Sequence, residues 1–328
     1  MATYTIEPDR RTLHGTFSRD YEPVLTINPG DTVIYRTLDA GWHLDGPSYP
    51  RPRFQPWIKE RDNGHALCGP IAIRGAGAGM ALAVRIDAVR TGTWGWSVSG
   101  GWDCDINRRL GMVEPGEFRL EWTLDPDNLL GRDQYGREIE LRPFMGVMGM
   151  PPAEPGIHST APPRVTGGNM DCKELIAGVT LYLPIEVPGG LFSVGDGHAV
   201  QGDGEVSVTA IECPMQHVEL TFDLAPLSQL KTPRAETSQG WITLGFNEDL
   251  DEACFLALEA MLDLMEERHG LKRQDALALA SLLVDMRITQ IVNGVRGAHA
   301  LLPNSAVRTL TSVVSDWRAV VAGEPDSI

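Results

Sequence analysis

What the chain has little of narrows its chemistry first. Cysteine is sparse: Cys68, Cys104, Cys172, Cys213 and Cys254 are scattered over 328 residues and form no CxxC pair. That excludes a zinc-ribbon or thioredoxin-type site, and a reduced, cytoplasmic compartment is the expectation. No run of 18 apolar residues occurs, so no membrane-spanning helix is expected. The first residues, Met1 to Glu7, lack the basic segment and apolar core of a signal peptide. Positive charge is in deficit: 28 Lys and Arg stand against 44 Asp and Glu, a net charge of −16. This argues against nucleic acid or an anionic membrane as partner, since both require a basic surface. Neither a GxSxG nucleophile elbow nor an HExxH helix is present. The Gly75–Gly79 segment lacks GxGxxG spacing and runs into a strand-like alternation, so it reads as a hairpin turn.

What is present is an ordinary soluble composition, 42% hydrophobic and 22% charged, long enough for two or three domains. Short alternating runs between Gly and Pro turns dominate the first two thirds, for example Val24–Ile27 before the turn Asn28–Asp31 and Thr32–Tyr35 after it. The apolar run Val179–Val194 reads as two strands broken at Val187–Gly190, and Val218–Leu224 alternates as a half-buried strand should. Residues 143–168 form an apolar connector rich in Pro, Gly and Met. After Phe246 the period changes. Apolar residues from Leu250 to Met265 follow helical spacing, with Gly270 as the stop. A second helix is expected from about Arg273 to Met286 and a third from about Asn304 or Ser305 to about Val321. The expected fold is mainly β with a helical C-terminal part, an α+β chain. Its expected sections are a β-sandwich or jelly-roll-like domain over 1–145, a second β section over 146–240, and a helical section over 241–328.

Two glycine-rich clusters carry the functional signal: Gly167-Gly168-Asn169-Met170-Asp171-Cys172, and Gly195 to Glu205. The second holds Asp196, His198, Gln201, Asp203 and Glu205 among four glycines. Glycine lets backbone pass close to a bound group, and carboxylates with an imidazole suit an oxygen- and nitrogen-liganded metal. If residues 191–200 are extended, Asp196 and His198 share a face. Gln201–Gly204 then reads as a hairpin tip and Glu205–Ile211 as the return strand, which would gather Asp196, His198, Asp203 and Glu205. Asp203 taken alone is as well explained by its Asp-Gly turn pair. His43 reads as a surface histidine, while His65 stands evenly between a surface and a site role. Trp94, Trp96 and Trp102 lie in a Gly-rich patch over Thr93–Asp105 and read first as core or interface anchors. Cys172, beside Asp171, is a candidate nucleophile, although a small buried cysteine is the commoner case.

Gly-Gly-Asn-Met-Asp at 167–171 and Gly-Asp-Gly-His-Ala-Val-Gln-Gly-Asp-Gly-Glu at 195–205 resemble the acetamidase/formamidase family. The resemblance extends over most of the chain, through Pro29-Gly30-Asp31, His65 with Gly69-Pro70, Pro143–Gly149, Asp249–Ala253, and Thr289-Gln290 with His299. It implies hydrolysis of the C–N bond of formamide, acetamide or similar short amides by a metal-dependent enzyme, usually a homo-oligomer, with zinc or calcium as the ion. By motif match it places Asp171, Asp196 and His198 as ligands, with Glu205, Asn169 and Gln201 near the substrate. The expected mechanism has Glu205 as general base and His65 beside the substrate, with Asp171 both ligand and catalytic group. Two alternatives are a metal-free amidase using Cys172 and a non-catalytic β-sandwich protein with a structural calcium.

Overall fold

The computed structural model describes residues 1–45, 50–227 and 230–307. Period-two burial builds most of it. Along Met215–Ala225, Val218, Leu220 and Phe222 are buried while Glu219, Thr221 and Asp223 keep contact with solvent. This strand is third in a nine-stranded sheet. The order is Thr3–Ile6, Thr32–Thr37, Met215–Ala225, Ala81–Thr91, Thr180–Pro184, Arg234–Glu236, Gly240–Asn247, Arg296–Pro303 and Asp285–Gln290. The sheet takes strands from all three expected sections of the chain.

A second sheet of six strands runs Gly167–Asn169, Phe144–Gly149, Phe192–His198, Leu67–Ile73 and Leu13–His14, with Leu25–Ile27 pairing parallel to Leu67–Ile73. Phe144–Gly149 and Phe192–His198 are buried at every position, as strands covered on both faces must be. The two sheets share one core. Phe192 of the second meets Phe222 of the first edge-on, their ring centroids 5.0 Å apart. A four-stranded antiparallel sheet, Trp94–Ser99, Phe118–Asp125, Leu130–Asp133 and Glu138–Glu140, lies beside them.

The Gly75–Gly79 turn forms but closes no hairpin. It carries the chain from Leu67–Ile73 in the six-stranded sheet to Ala81–Thr91 in the nine-stranded one. Val187–Gly190 likewise links Thr180–Pro184 to Phe192–His198 across the sandwich. Both flanking strands must turn an apolar face to the common core, and an arch between layers does this as well as a hairpin within one.

The helix Leu250–His269 begins where Asp249 accepts hydrogen bonds from the N–H groups of Asp251 and Glu252, and ends at Gly270, whose φ is +64°. It covers the outer face of the large sheet. Trp241, Ala300 and Leu302 pack against Ala257, Met261 and Met265 of this helix, while Ile242, Leu244 and Leu301 face the sandwich core. At Gly245 a Cβ would stand 2.1 Å from the carbonyl oxygen of Ala253, so the strand needs glycine where the helix crosses it. The second helix is Arg273–Leu283 and stops short of Met286. Asp285–Gln290 is instead an edge strand paired with Arg296–Pro303, because the β-branched alternation around Ile288 and Thr289 is met by a partner that is itself strand. Of the third expected helix, Asn304 and Ser305 form a turn and the residues from 308 on lie outside the described ones. Among the described residues no helix is long and apolar enough to cross a membrane.

Candidate active site

Five ionisable side chains meet at one buried point beside the second sheet: Asp171, Asp196, His198, Glu205 and Glu212, none more than 6% exposed. Asp196 and His198 point the same way from Phe192–His198, two residues apart on an extended strand. His198 Nε2 lies 3.4 Å from Asp196 Oδ1 and 3.4 Å from Glu212 Oε1. Asp171 follows the strand Gly167–Asn169, its N–H and that of Met170 donating to the carbonyl of Gly146. The donor atoms of Asp171, Asp196 and His198 lie within 4.8 Å of one another, as do those of His198, Glu205 and Glu212.

Gln201 fixes the state of the imidazole. Its amide nitrogen donates to the carbonyl of Asp171 at 2.8 Å, so its oxygen is the atom 3.0 Å from His198 Nδ1. An amide oxygen only accepts, so Nδ1 carries the hydrogen. In its neutral form the ring would then aim the lone pair of Nε2 at two carboxylates. That arrangement is repulsive unless a proton or a cation lies between them.

The carboxyl groups respond accordingly. Burial pushes Asp171 up to about 7, with His198 opposing and Asp196 adding to the rise. Burial likewise pushes Glu212 up to about 7, and it holds Glu205 well above the usual range together with the charge of Asp171. Burial also acts to raise Asp196, but His198 and His65 outweigh it and bring that carboxyl below the usual range. Burial acts against charge on His198, yet Glu212 and Asp196 hold its pKa well above the ordinary value. Four carboxylates this close cannot all ionise without compensating charge.

Three further features fit a cation. Asp171 Oδ1, Glu205 Oε2 and Glu212 Oε2 are buried without a hydrogen-bond partner among the described residues. Gly146 lines the space between the ligands: a Cβ there would stand 2.5 Å from Asp196 Oδ2 and 2.7 Å from Asp171 Oδ1. Asp171, Asp196 and Glu205 all hold left-handed backbone, with φ of 49°, 59° and 46°. Such conformations cost about 1–3 kcal/mol each and cluster where side-chain placement is over-determined.

Of the residues singled out in the sequence, Asp171, Asp196, His198, Gln201 and Glu205 converge. Asn169 is buried, its Nδ2 donating to the carbonyl of Ala161 while Oδ1 has no hydrogen-bond partner among the described residues. His65 is half-buried and placed by Thr160, whose Oγ1 lies 2.9 Å from Nδ1. Asp203 turns away and meets Lys173 Nζ at 3.1 Å. The return strand over Glu205–Ile211 does not form, because Gly204, Glu205 and Val208 take positive φ and fold the segment into successive turns. His43 is no surface residue: its side chain is 16% exposed and its Nδ1 lies 2.8 Å from the buried Asp39. Cys172 is fully buried and burial pushes its thiol up to about 12, which leaves no thiolate at neutral pH.

Three contributors escaped the sequence reading. Glu212 had a readable signal, a lone acid between Ile211 and Cys213 in an apolar run. Its backbone N–H and C=O both bond to Trp96, at 2.8 and 2.9 Å, so the Trp-rich stretch supports the site. Gly146 sat in a noted motif but its role needed the neighbours. Asn293, which donates to Asp171 Oδ2 at 2.6 Å from 122 residues away, carried no local signal. A cavity of about 510 Å³ borders the cluster at Gln201 and Glu205, with Val200, Val206 and Ile211 on its walls.

Residues 153–232 match the model of the Acetamidase/Formamidase family. The formamidase of Methylophilus methylotrophus is 50% identical over 248 residues, 60% of this chain and 60% of that protein. The matched region thus spans less than two thirds of the length of that curated relative. A solved predicted acetamidase/formamidase of Thermoanaerobacter tengcongensis superposes with a TM-score of 0.80 at 26% identity, covering 93% of this chain and 97% of the other. The acetamidase of Yersinia enterocolitica gives a TM-score of 0.79 at 27% identity, covering 93% of each chain.

Proposed function

The chain belongs to the acetamidase/formamidase family, and from that premise we propose that it hydrolyses the C–N bond of short linear amides to carboxylate and ammonia. The observation that carries the reading is the imidazole of His198, locked by Gln201 with Nε2 facing Asp196 and Glu212 in a buried acidic cluster. The residues fit a divalent cation held by Asp171 Oδ1, Asp196 and His198 Nε2, with Glu212 in reach. An imidazole among the donors favours a zinc-like ion over calcium, which prefers an all-oxygen shell. Such an ion supplies positive charge that polarises a carbonyl and lowers the pKa of water.

The chain's own groups do the rest. Glu205 stands between the cluster and the open cavity, with one unpaired oxygen to take a proton from the attacking water. It returns that proton to the departing nitrogen, which cannot leave as an amide anion. Asn169 has committed its NH₂ to Ala161, so its free oxygen accepts an N–H from the substrate amide. Gln201 is engaged at both ends of its amide and acts by orienting His198 rather than by touching substrate. Water has little access to a site this buried, which strengthens each of these interactions.

An ammonia-release assay over formamide, acetamide and longer amides, with metal analysis of the same preparation, tests the proposal. The wild type is expected to release ammonia from at least one short amide and to hold a divalent ion. Asp196→Ala is expected to lose both. Glu205→Gln is expected to keep the ion and lose at least about 100-fold in turnover. Cation-dependent stability without ammonia release from any short amide would favour a structural ion instead.

A further inference from the structure

The segment between the last two strands of the large sheet lies outside both glycine-rich clusters, yet it touches both arms of the site. Asn293 donates from Nδ2 to Asp171 Oδ2 at 2.6 Å. This leaves Oδ1 as the carboxylate oxygen of Asp171 without a hydrogen-bond partner among the described residues. On the other side, Gly204 N–H donates to the carbonyl of Thr289, and Ile291 N–H donates back to the carbonyl of Gly204. Those two bonds anchor the residue immediately before Glu205.

The segment is itself held from below. Gln290 is fully buried; its Oε1 accepts from the N–H groups of Val292 and Asn293, and its Nε2 donates to the carbonyl of Val295 at 2.7 Å. A side-chain amide that binds three backbone groups of one short loop acts as a template for it. Asn293 is therefore presented on a fixed loop at the end of a strand and not on a mobile tip.

We infer that Asn293 is a positioning residue for the centre, which ties one oxygen of Asp171 so that the other is offered to the cation, with Gln290 holding Asn293 in place. A carboxylate free to rotate presents either oxygen and must lose that freedom when it binds an ion. With one oxygen tied, the loss is met during folding. Partners of this kind behind a metal ligand typically change affinity by about 10–100-fold when removed. The inference rests on the cation reading above, but it makes a separate demand, that this residue sets affinity.

The test measures zinc affinity of metal-stripped protein by competition with a chromophoric chelator, with thermal melts of the stripped protein and kcat and KM on the best short amide. Asn293→Ala is expected to weaken zinc binding by about 10–100-fold with the stripped melting temperature nearly unchanged. Asn293 is only half-buried, so its truncation is not expected to unfold the chain. Asn293→Gln, which keeps a donor amide, is expected to recover part of the affinity. At saturating zinc, kcat is expected to return towards wild type while KM for the amide moves little. Wild-type zinc affinity in Asn293→Ala overturns the inference and leaves the cation centre standing. A wild-type protein that binds no divalent ion overturns both.

Discussion

Gly146 and Asp196 leave no room for a methyl group between them: a Cβ on Gly146 would stand 2.5 Å from Oδ2 of Asp196. Gly146 is not among the residues with positive φ, so its backbone tolerates alanine and the constraint is space alone. Gly146→Ala is expected to push Asp196 and Asp171 apart and to lose bound cation and activity by at least about 100-fold. Overpacking of this kind costs about 1–3 kcal/mol, so the chain should still fold. Metal content and a melting curve check both halves. An alanine variant with full metal content would remove Gly146 from the site.

Glu212 carries a prediction of opposite signs. In metal-free protein its carboxyl is buried beside Asp196 and Glu205, and burial pushes it up to about 7. Glu212→Gln keeps the shape and removes one of the mutually repelling acids, so metal-free protein at pH 8 is expected to melt no lower than wild type. The same change is expected to weaken cation binding by about tenfold or more and to slow turnover. Melts with chelator and with added zinc separate the two. A variant less stable than wild type in both conditions would mean that Glu212 acts only in folding.

Cys172 is expected to be dispensable. It is buried and its thiol is pushed up to about 12. Cys172→Ala should cost about 1 kcal/mol through the small space it leaves and keep turnover within about twofold. Alkylation of native protein should reach the partly exposed Cys104 and Cys254 before it reaches Cys172. Loss of turnover in Cys172→Ala with the melting temperature intact would revive the thiol mechanism.

His14 predicts a pH dependence away from the site. It is fully buried between the carbonyl of Thr16 and Ser193 Oγ, and burial lowers its pKa from 6.5 to about 4. The folded state keeps the ring neutral where the unfolded chain protonates it. Its contribution is therefore complete above pH 6.5 and is lost as pH falls towards about 4, at up to ~1.4 kcal/mol per pH unit. Between pH 7 and pH 5 wild type is expected to lose about 2 kcal/mol more than His14→Gln in urea unfolding. Equal losses in the two proteins would show that His14 does not stay neutral when folded.

Much of this was legible in local sequence, for identifiable reasons. The one-sided burial of Val218, Leu220 and Phe222 follows from alternation alone. The helix from Leu250 to His269 announced itself by its period and its Gly270 stop. Asp196 and His198 share a face because they stand two positions apart on an extended strand. Alternation says that a strand has one dry face but not which sheet it joins, which is why Gly75–Gly79 reads as a hairpin and folds as an arch. The helix expected to run to Met286 ends early for the same reason, at Leu283, and the residues Asp285–Gln290 form a strand. Their helical or extended state depended on pairing with Arg296–Pro303, a partner that local pattern does not identify.

The sequence by itself determined a mainly β chain with a capped helix near its end, and two glycine-rich clusters bearing the acids and the histidine of one centre. It could do so because backbone propensity, side-chain period and turn chemistry act over a few residues. Only the tertiary structure decided that Glu212 and Asn293 join that centre, that Asp203 leaves it, and that Gln201 commits the Nδ1 hydrogen of His198. Those outcomes depend on contacts between segments far apart in the chain, where a hydrogen bond or a buried charge is settled by what the fold brings alongside it.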